Sequence, residues 1–258
     1  MSETKLITSR DNPLLQRVRK LTRDPVAYRK LGAVWLEGEH LCGALLARGS
    51  WATQAVIAQS AQARPDLAAL AARARSVALV PDRLFADLGT LPSPAGIGFL
   101  CDVPAQPAID PVAPTVVLDR VQDAGNVGSI LRSASALGVH QVLALSGTAG
   151  LWSPKVLRAG MGAQFGLRLL EGLAPADLDA LRLPWVATSS HAADALPQVA
   201  LPSPCAWFFG HEGQGVSPAL MARCALTVRI PQPGGEESLN VAAAAAICLY
   251  ESLRATAG

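Results

Sequence analysis

Residues 114–258 alternate between short apolar runs and segments with helical spacing of apolar residues, and this alternation restricts the fold more than any other feature. Such alternation is typical of a mainly parallel sheet covered by helices on both faces, so we expect a Rossmann-like α/β domain. Helical patterns fall between the predicted strands, and the last predicted helix is Asn240–Arg254. The predicted strands are Thr115–Leu118, Gln141–Leu145, Leu167–Leu170, Trp185–Thr188, Ala206–Phe209 and Leu226–Ile230.

A proline-rich segment precedes this domain. Pro104, Pro107, Pro111 and Pro114 fall within eleven residues, which neither a helix nor a central strand tolerates. We therefore expect a linker at 105–113 between a first domain, 1–104, and a second domain, 114–258. The first domain is expected to be a small α/β unit with helices at Pro13–Arg23, Leu41–Arg48 and Asp66–Arg75 and strands at Ala33–Glu37, Gln54–Ala58 and Val77–Val80.

Composition indicates a globular chain with a large core, since 50% of residues are hydrophobic and 16% are charged. No run of 18 or more apolar residues free of charge occurs, so we expect no membrane span. The first residues lack an apolar signal segment, which favours a cytoplasmic protein. The five cysteines are scattered, and no Cys or His cluster has zinc spacing. We therefore expect reduced cysteines and no metal site.

Basic residues are concentrated at the start of the chain. Residues 1–30 hold eight Lys and Arg side chains against three acidic ones, although the whole chain carries a formal net charge of only +2. A basic segment on a near-neutral body suits contact with a polyanion such as RNA, but a solvated helix face shows the same pattern. The candidate RNA contacts here are Arg10, Arg17, Arg19, Lys20 and Arg29.

Three loops of the second domain concentrate glycine and polar residues. The first, at 123–132, reads Asp-Ala-Gly-Asn-Val-Gly-Ser-Ile-Leu-Arg. Apolar residues at helical spacing predict a helix over Val127–Leu137, with Asn126 at its N-cap. Arg132 projects roughly opposite the apolar stripe. Taken alone, the segment is also explained as an ordinary capped helix with one solvated arginine.

The second loop, at 210–215, reads Gly-His-Glu-Gly-Gln-Gly and follows an apolar strand. A helix with Ser217 at its cap and Pro218 in its first turn comes next. Three glycines allow close approach of the backbone to a ligand, but their order differs from the dinucleotide fingerprint.

The third loop, at 230–241, reads Ile-Pro-Gln-Pro-Gly-Gly-Glu-Glu-Ser-Leu-Asn-Val. A strand that stops at Pro231, a glycine turn and a polar helix start bring hydroxyl, amide and backbone N–H groups into one loop. Taken alone, Ser238 at the start of this helix is an ordinary cap.

In this order and spacing, the three loops resemble the signature motifs of the SpoU (TrmH-type) RNA ribose methyltransferases of the SPOUT class. The first domain also resembles the substrate-binding domain of rRNA-directed members, at 7–13 and 35–40, and 153–159 resembles a further family segment. The resemblance implies a SPOUT fold with a deep trefoil knot, which general topology rules would not predict. Family members commonly have Asn or Ala where this chain has His211.

The resemblance further implies a homodimeric enzyme that transfers a methyl group from S-adenosylmethionine (AdoMet) to a ribose 2′-hydroxyl of RNA, with rRNA favoured over tRNA. AdoMet carries no phosphate, so the second loop, which is rich in glycine and has one acid, suits it. Lys155 is a candidate RNA contact, although a structural contact or a solvated helix start explains it equally. By resemblance, the catalytic residues are Asn126, Arg132, Glu212, Ser238 and Asn240. By resemblance, the cofactor-binding residues are Gly210, Glu212, Gly213, Ile230, Ser238 and Leu239.

Arg132 is expected to act as a cation rather than as a base, because a guanidinium does not normally give up its proton. We expect it to hold the target phosphate and stabilise the developing alkoxide. Two rival classes remain open. A nucleotide-dependent oxidoreductase is disfavoured by the order of the glycines, and a non-catalytic RNA-binding protein is disfavoured by the retained polar residues of the three loops.

Overall fold

The computed structural model describes residues 3–50, 52–89, 93–234 and 238–256, and the chain forms two compact units. Unit 1 comprises Met1–Ala105 and Trp152–Phe165, and unit 2 comprises Gln106–Leu151 and Gly166–Gly258. The chain therefore leaves unit 2 for fourteen residues and then returns to it. The domain boundaries predicted from the prolines stay a prediction.

Strands and helices alternate through both units. The strands are β1 (Glu3–Leu6), β2 (Ala33–Glu37), β3 (Gln54–Ala58), β4 (Ser76–Val80), β5 (Ile97–Asp102), β6 (Thr115–Asp119), β7 (Gln141–Leu145), β8 (Arg168–Leu173), β9 (Trp185–Thr188), β10 (Asp194–Ala195), β11 (Ala206–Gly210) and β12 (Leu226–Arg229). The helices are α1 (Pro13–Arg23), α2 (Ala27–Leu31), α3 (Glu39–Ala47), α4 (Gln59–Gln62), α5 (Pro65–Ala71), α6 (Asp82–Ala86), α7 (Ala124–Ala136), α8 (Pro154–Gly160), α9 (Pro218–Met221) and α10 (Val241–Thr256). Short 3₁₀ helices lie at Ala163–Gly166, Pro175–Ala180 and Leu196–Gln198.

Unit 1 is built on a five-stranded mixed sheet in the order β1-β4-β3-β5-β2, in which β5 runs antiparallel to β2 and β3. The predicted helix Pro13–Arg23 is confirmed as α1, which buries Leu15, Val18 and Leu21 and is capped by the Asn12 side chain. The strand β5 was not predicted from the sequence. The helix α8 packs against β2, so a segment far along the chain completes this unit.

Unit 2 is built on a seven-stranded sheet in the order β10-β12-β9-β11-β6-β7-β8, and every neighbouring pair is parallel. The prediction of a mainly parallel sheet is confirmed. The central strands β6, β7 and β11 are buried along their whole length, as expected when both faces are covered. The knot stays a prediction.

The sheet order of unit 2 determines where a ligand can bind. From β6 the chain moves outward to β7 and β8, and it later returns to the other side through β9 and β11. The order of the strands therefore reverses between β6 and β11. In open α/β sheets, ligands bind beyond the carboxyl ends of the strands at such a reversal. The loops at 120–123 and 211–215 follow these two strands.

The proline-rich segment is hydrogen-bonded to unit 2 along its length. The buried Gln141 side chain accepts from the Asp110 N–H at 2.7 Å and donates to the Asp110 carbonyl and the Thr115 hydroxyl, each at 3.0 Å. Arg168 donates to the Ala108 carbonyl at 2.8 Å. This segment is thus anchored, because its unpaired backbone groups find partners on the sheet.

All five cysteines are free, and Cys42, Cys101, Cys205 and Cys248 are buried. Burial raises the pKa of the Cys101 thiol to about 12, so this thiol stays protonated at neutral pH. Within the described ranges, no helix is long and apolar enough to cross a membrane.

Candidate active site

The helix α7 begins three residues earlier than the sequence predicts. Asp123 is its N-cap, and the Asp123 carboxylate accepts from the Asn126 N–H at 2.8 Å. The prediction that Asn126 is the cap was wrong, because the Asp123 carboxylate already satisfies the backbone donor at this turn. The Asn126 side chain is left available for contacts outside the helix.

The Glu212 carboxylate joins the second loop to the start of α7. It accepts hydrogen bonds from the N–H groups of Gln122 (3.2 Å) and Asp123 (3.0 Å) and from Asn126 Nδ2 (3.1 Å). Desolvation acts to raise the pKa of Glu212, but these hydrogen bonds, with one from its own N–H, lower it to about 2. Glu212 is therefore ionised at neutral pH and is a poor proton acceptor.

The third loop joins the same network through Asn240. Asn240 Nδ2 donates to Asn126 Oδ1 at 2.9 Å, and Asn240 Oδ1 accepts from the N–H groups of Ala242 (2.9 Å) and Ala243 (3.2 Å). Asn240 thus caps α10, and the expectation of a Ser238 cap was wrong. Of the candidate residues, Glu212, Asn126 and Asn240 form one connected chain of hydrogen bonds that unites all three loops.

The glycine-rich loop is a tight turn that its own residues close. The His211 carbonyl accepts from the Gln214 N–H at 3.2 Å and the Gly215 N–H at 2.8 Å, and His211 Nδ1 accepts from the Gly213 N–H at 3.0 Å. Gly215 has φ +67°, and a Cβ on Gly210 would lie 2.0 Å from the Gly215 carbonyl carbon. Both positions therefore require glycine.

A buried carboxylate that the sequence analysis did not single out supports the same loop. Asp119, at the end of β6, accepts from the Ser217 N–H at 2.6 Å and from Arg120 Nε at 3.0 Å. Arg120 has φ 61°, which is uncommon for a residue with a side chain, and it donates to Gln214 Oε1 at 3.1 Å. The sequence feature that could have identified Asp119 is its place directly after the apolar run Thr115–Leu118.

The second and third loops line a cavity of about 330 Å³ at the carboxyl edge of the unit 2 sheet, and no residue of the first loop lines it. The predicted cofactor residues Gly210, Glu212, Gly213, Ile230, Ser238 and Leu239 all line it. A further wall, which could not be predicted from the sequence, is formed by 188–191 and brings two serines, a threonine and a histidine into the cavity. The sequence gives little indication of this wall, because a polar run after a strand is typical of any loop. Among the described residues, no group of three or more His, Cys, Asp or Glu side chains is arranged to hold a metal ion.

The other candidate catalytic residues stand apart from the hydrogen-bonded chain. Ser238 is exposed at the cavity wall. Arg132 is exposed on α7 and does not line the cavity, and it has no hydrogen-bond or ion-pair partner within the described ranges. Three residues of the predicted third loop, Gly235, Glu236 and Glu237, lie outside the described residues.

The candidate RNA contacts of unit 1 are not equivalent. Arg17 donates to the Leu31 carbonyl at 2.9 Å, and Arg19 donates to the Arg10 carbonyl at 2.7 Å; both side chains are half-buried. Arg10 pairs with Asp87 at 3.4 Å, and Arg29 lies over the Tyr28 ring. Lys20 and Lys155 are exposed. Arg17 and Arg19 therefore have structural contacts of their own, and RNA binding by any of the six stays a prediction.

Comparison with known proteins gives consistent results over both units. The uncharacterized tRNA/rRNA methyltransferase slr1673 of Synechocystis sp. is 32% identical over 266 residues, which cover 98% of this chain and 95% of that protein. The 23S rRNA (guanosine(2553)-2′-O)-methyltransferase RlmP of Bacillus subtilis is 28% identical over 224 residues, which cover 86% of this chain and 88% of that protein.

Solved structures and family membership agree with these relatives. An AdoMet-bound rRNA methyltransferase from Sinorhizobium meliloti superposes with a TM-score of 0.85 at 26% identity, over 97% of this chain and 98% of that one. The SpoU rRNA Methylase family matches residues 113–250, which include all three loops and more than half of the chain. The chain belongs to the SpoU rRNA methylase family.

Proposed function

We propose that this chain is an enzyme that transfers a methyl group from AdoMet to a ribose 2′-hydroxyl of RNA, and that its substrate is rRNA. Family membership and the names of the relatives support the activity: RlmP is a 23S rRNA 2′-O-methyltransferase, and the S. meliloti rRNA methyltransferase holds AdoMet. The observation that carries the proposal in this chain is that two of the loops line one cavity and that Glu212 and Asn240 bond both of them to Asn126 of the first loop.

The cavity fits AdoMet in size and in chemistry. Small-molecule sites are mostly apolar concavities of about 300–1,000 Å³ with a few placed polar groups. Here Ile230, Leu239 and Val241 supply apolar surface, while the backbone of 210–215 supplies polar groups. AdoMet supplies a sulfonium-bound methyl group that a nucleophilic oxygen can attack. The residues of this chain must hold the ribose and the cofactor at near-attack distance.

Glu212, Asn126 and Asn240 are proposed to act by positioning. The pKa of Glu212 is held at about 2, so its carboxylate is committed to the hydrogen bonds that fix the start of α7. Asn126 is held from both sides, by Glu212 and by Asn240. Fixed partners of this kind hold a site in place without reorganisation at the moment of reaction. Ser238, at the cavity wall, is proposed to contact the ribose or the cofactor.

Arg132 is proposed to hold the phosphate of the target nucleotide. Its guanidinium is permanently charged and presents several N–H donors, which suits a phosphate and excludes a role as base. Its exposed position on α7 leaves it accessible to a bound RNA. A cation near the reacting hydroxyl stabilises the alkoxide that develops as the proton leaves.

Two measurements test the activity and its rivals. Calorimetry with AdoMet and with NAD on the purified protein separates a methyltransferase from an oxidoreductase, and binding of neither would favour a non-catalytic RNA-binding protein. A variant, Leu239→Asp, should lose AdoMet affinity, because a carboxylate would replace the apolar wall of the cavity. The second measurement is a map of 2′-O-methylation in total RNA from cells with and without the gene. The methylated position that is lost without the gene shows whether the target is rRNA or tRNA.

We further propose a homodimer that pairs through α10. The small residues Ala242 and Ala245 are buried within unit 2, where α10 packs against α7. These two alanines therefore lie inside the unit and contribute no surface to an interface. Support comes from larger apolar side chains at helical spacing on the outer face of α10: Ile247 is 39% exposed, Tyr250 56% and Leu253 43%. Such a face is typical of an interface between subunits.

Sedimentation equilibrium tests the dimer. The wild type should have twice the chain mass of 26.8 kDa. Tyr250→Asp should shift the equilibrium toward monomer, whereas Val112→Asp, at an exposed apolar residue outside α10, should not. A wild-type mass near 26.8 kDa contradicts the proposal.

A cytoplasmic location is proposed from the RNA substrate, and cell fractionation tests it.

A further inference from the structure

The His211 side chain acts as a hydrogen-bond acceptor inside the loop that lines the cavity. His211 Nδ1 accepts from the Gly213 N–H at 3.0 Å. A ring nitrogen that accepts from an N–H carries no proton, so the neutral imidazole makes this bond. The arrangement is equivalent to an Asx turn, in which an Asn or Asp side chain bonds to the backbone two residues further on.

The two residues next to Gly213 in this loop form hydrogen bonds to groups outside the loop. The Glu212 carboxylate bonds to the start of α7, and Gln214 Oε1 accepts from Arg120 at 3.1 Å. Gly213 lies between them, and its N–H is bonded within the loop by His211. The His211 ring packs over this glycine, because Cε1 and Nδ1 would each lie 3.8 Å from a Cβ at Gly213. The orientation of the Gly213 peptide therefore depends on the imidazole.

We propose that His211 is a positioning residue for AdoMet binding, which it serves by fixing the Gly213 peptide in the wall of the cavity. The proposal rests on the proposed function, because it takes AdoMet as the occupant of the cavity. Fixing this peptide before the ligand arrives removes an ordering cost from binding. Loss of the acceptor therefore weakens cofactor affinity and leaves the chemical step unchanged.

A set of variants separates the acceptor from the bulk of the ring. Asn at this position offers an oxygen acceptor in the same turn, whereas Ala offers none. AdoMet affinity by calorimetry should fall about tenfold in His211→Ala, as expected for the loss of one hydrogen bond with some ordering of the loop. It should recover to within about threefold of the wild type in His211→Asn. In methyl-transfer kinetics, His211→Ala should raise KM for AdoMet by the same factor, with kcat nearly unchanged.

The control variant is His140→Asn, which removes an exposed histidine outside the cavity and should leave both readouts at wild-type values. Thermal unfolding of each variant verifies the fold. Equal AdoMet affinity in His211→Ala and the wild type would overturn the proposal, and so would an Asn variant as weak as the Ala variant. A wild type that binds no AdoMet would instead overturn the proposed function itself.

Discussion

The start of α7 and the whole of α1 are both rich in polar and charged residues, but these residues have different partners. Near α7, Asn126 bonds to Glu212 and Asn240, which lie 86 and 114 residues away in the sequence. On α1, Arg17 and Arg19 bond to backbone carbonyls only 14 and 9 residues away. Long-range bonds between side chains bring loops together into a site, whereas short-range bonds to carbonyls stabilise local packing. The density of charge in the sequence does not distinguish the two.

The largest effect is expected at Arg132, which belongs to α7 but has no partner among the described residues. Arg132→Ala should lower kcat by about 10²–10³-fold, the usual cost of losing one transition-state contact. Single-turnover methyl transfer measures this loss. AdoMet affinity should be unchanged, because Arg132 does not line the cavity. Near-normal turnover would remove Arg132 from the catalytic residues.

A smaller loss is expected at Glu212, the centre of the long-range network. Glu212→Gln replaces a charged acceptor of three hydrogen bonds from other residues, a change worth about 1.5–3 kcal/mol. We therefore expect kcat/KM to fall about 10- to 100-fold. Steady-state kinetics measure the loss, and Gln214→Glu, a substitution in the same loop outside this network, should have a smaller effect. Wild-type kinetics in Glu212→Gln would show that the network is dispensable.

The same variant gives a test by pH. The pKa of Glu212 is lowered from 4.5 to about 2 in the folded chain, so its ionised form stabilises the fold above about pH 4.5. This contribution is lost as the pH falls through 2. The free energy of unfolding of the wild type should therefore decrease more on acidification over this range than that of Glu212→Gln. Parallel curves from denaturant titrations would contradict the assigned hydrogen bonds.

A modest effect on stability is expected from the arginines of α1. Arg17→Ala should lower the free energy of unfolding by about 1 kcal/mol, because its bond to the Leu31 carbonyl is lost. Urea titration measures this change. Lys20→Ala is the matched control on the same helix, since Lys20 is exposed. Equal free energies of unfolding in the two variants would show that the Arg17 side chain does not stabilise the fold.

The smallest effect is expected for Lys20 in RNA binding. If Lys20 contacts one phosphate, Lys20→Ala should reduce the slope of log affinity against log salt by about 0.7–0.9. AdoMet affinity should stay at its wild-type value. An unchanged slope would make Lys20 part of a solvated helix face, and RNA contact would then have to come from other residues.

Periodic apolar patterns predicted the helix α1 and the parallel sheet of unit 2 but not the strand β5, and glycine and polar motifs predicted the three loops that the hydrogen bonds join. The parallel sheet of unit 2 could be predicted because β6, β7 and β11 are continuous apolar runs. The sequence did not reveal that Asp123 rather than Asn126 caps α7, since both are good cap residues three positions apart. It also did not reveal that 152–165 belongs to unit 1, because no local pattern records which distant element a helix packs against.

The separation in sequence of Glu212, Asn126 and Asn240 has a consequence for how the enzyme folds. A contact between residues about a hundred positions apart closes a long loop, and the chain loses conformational entropy before the contact can stabilise it. We therefore expect the three loops to dock late, after the strands of unit 2 have paired. The Asp123 N–H donates to Glu212 and is protected only while the first two loops are docked. Its hydrogen-exchange rate should then report assembly of the site separately from folding of the sheet.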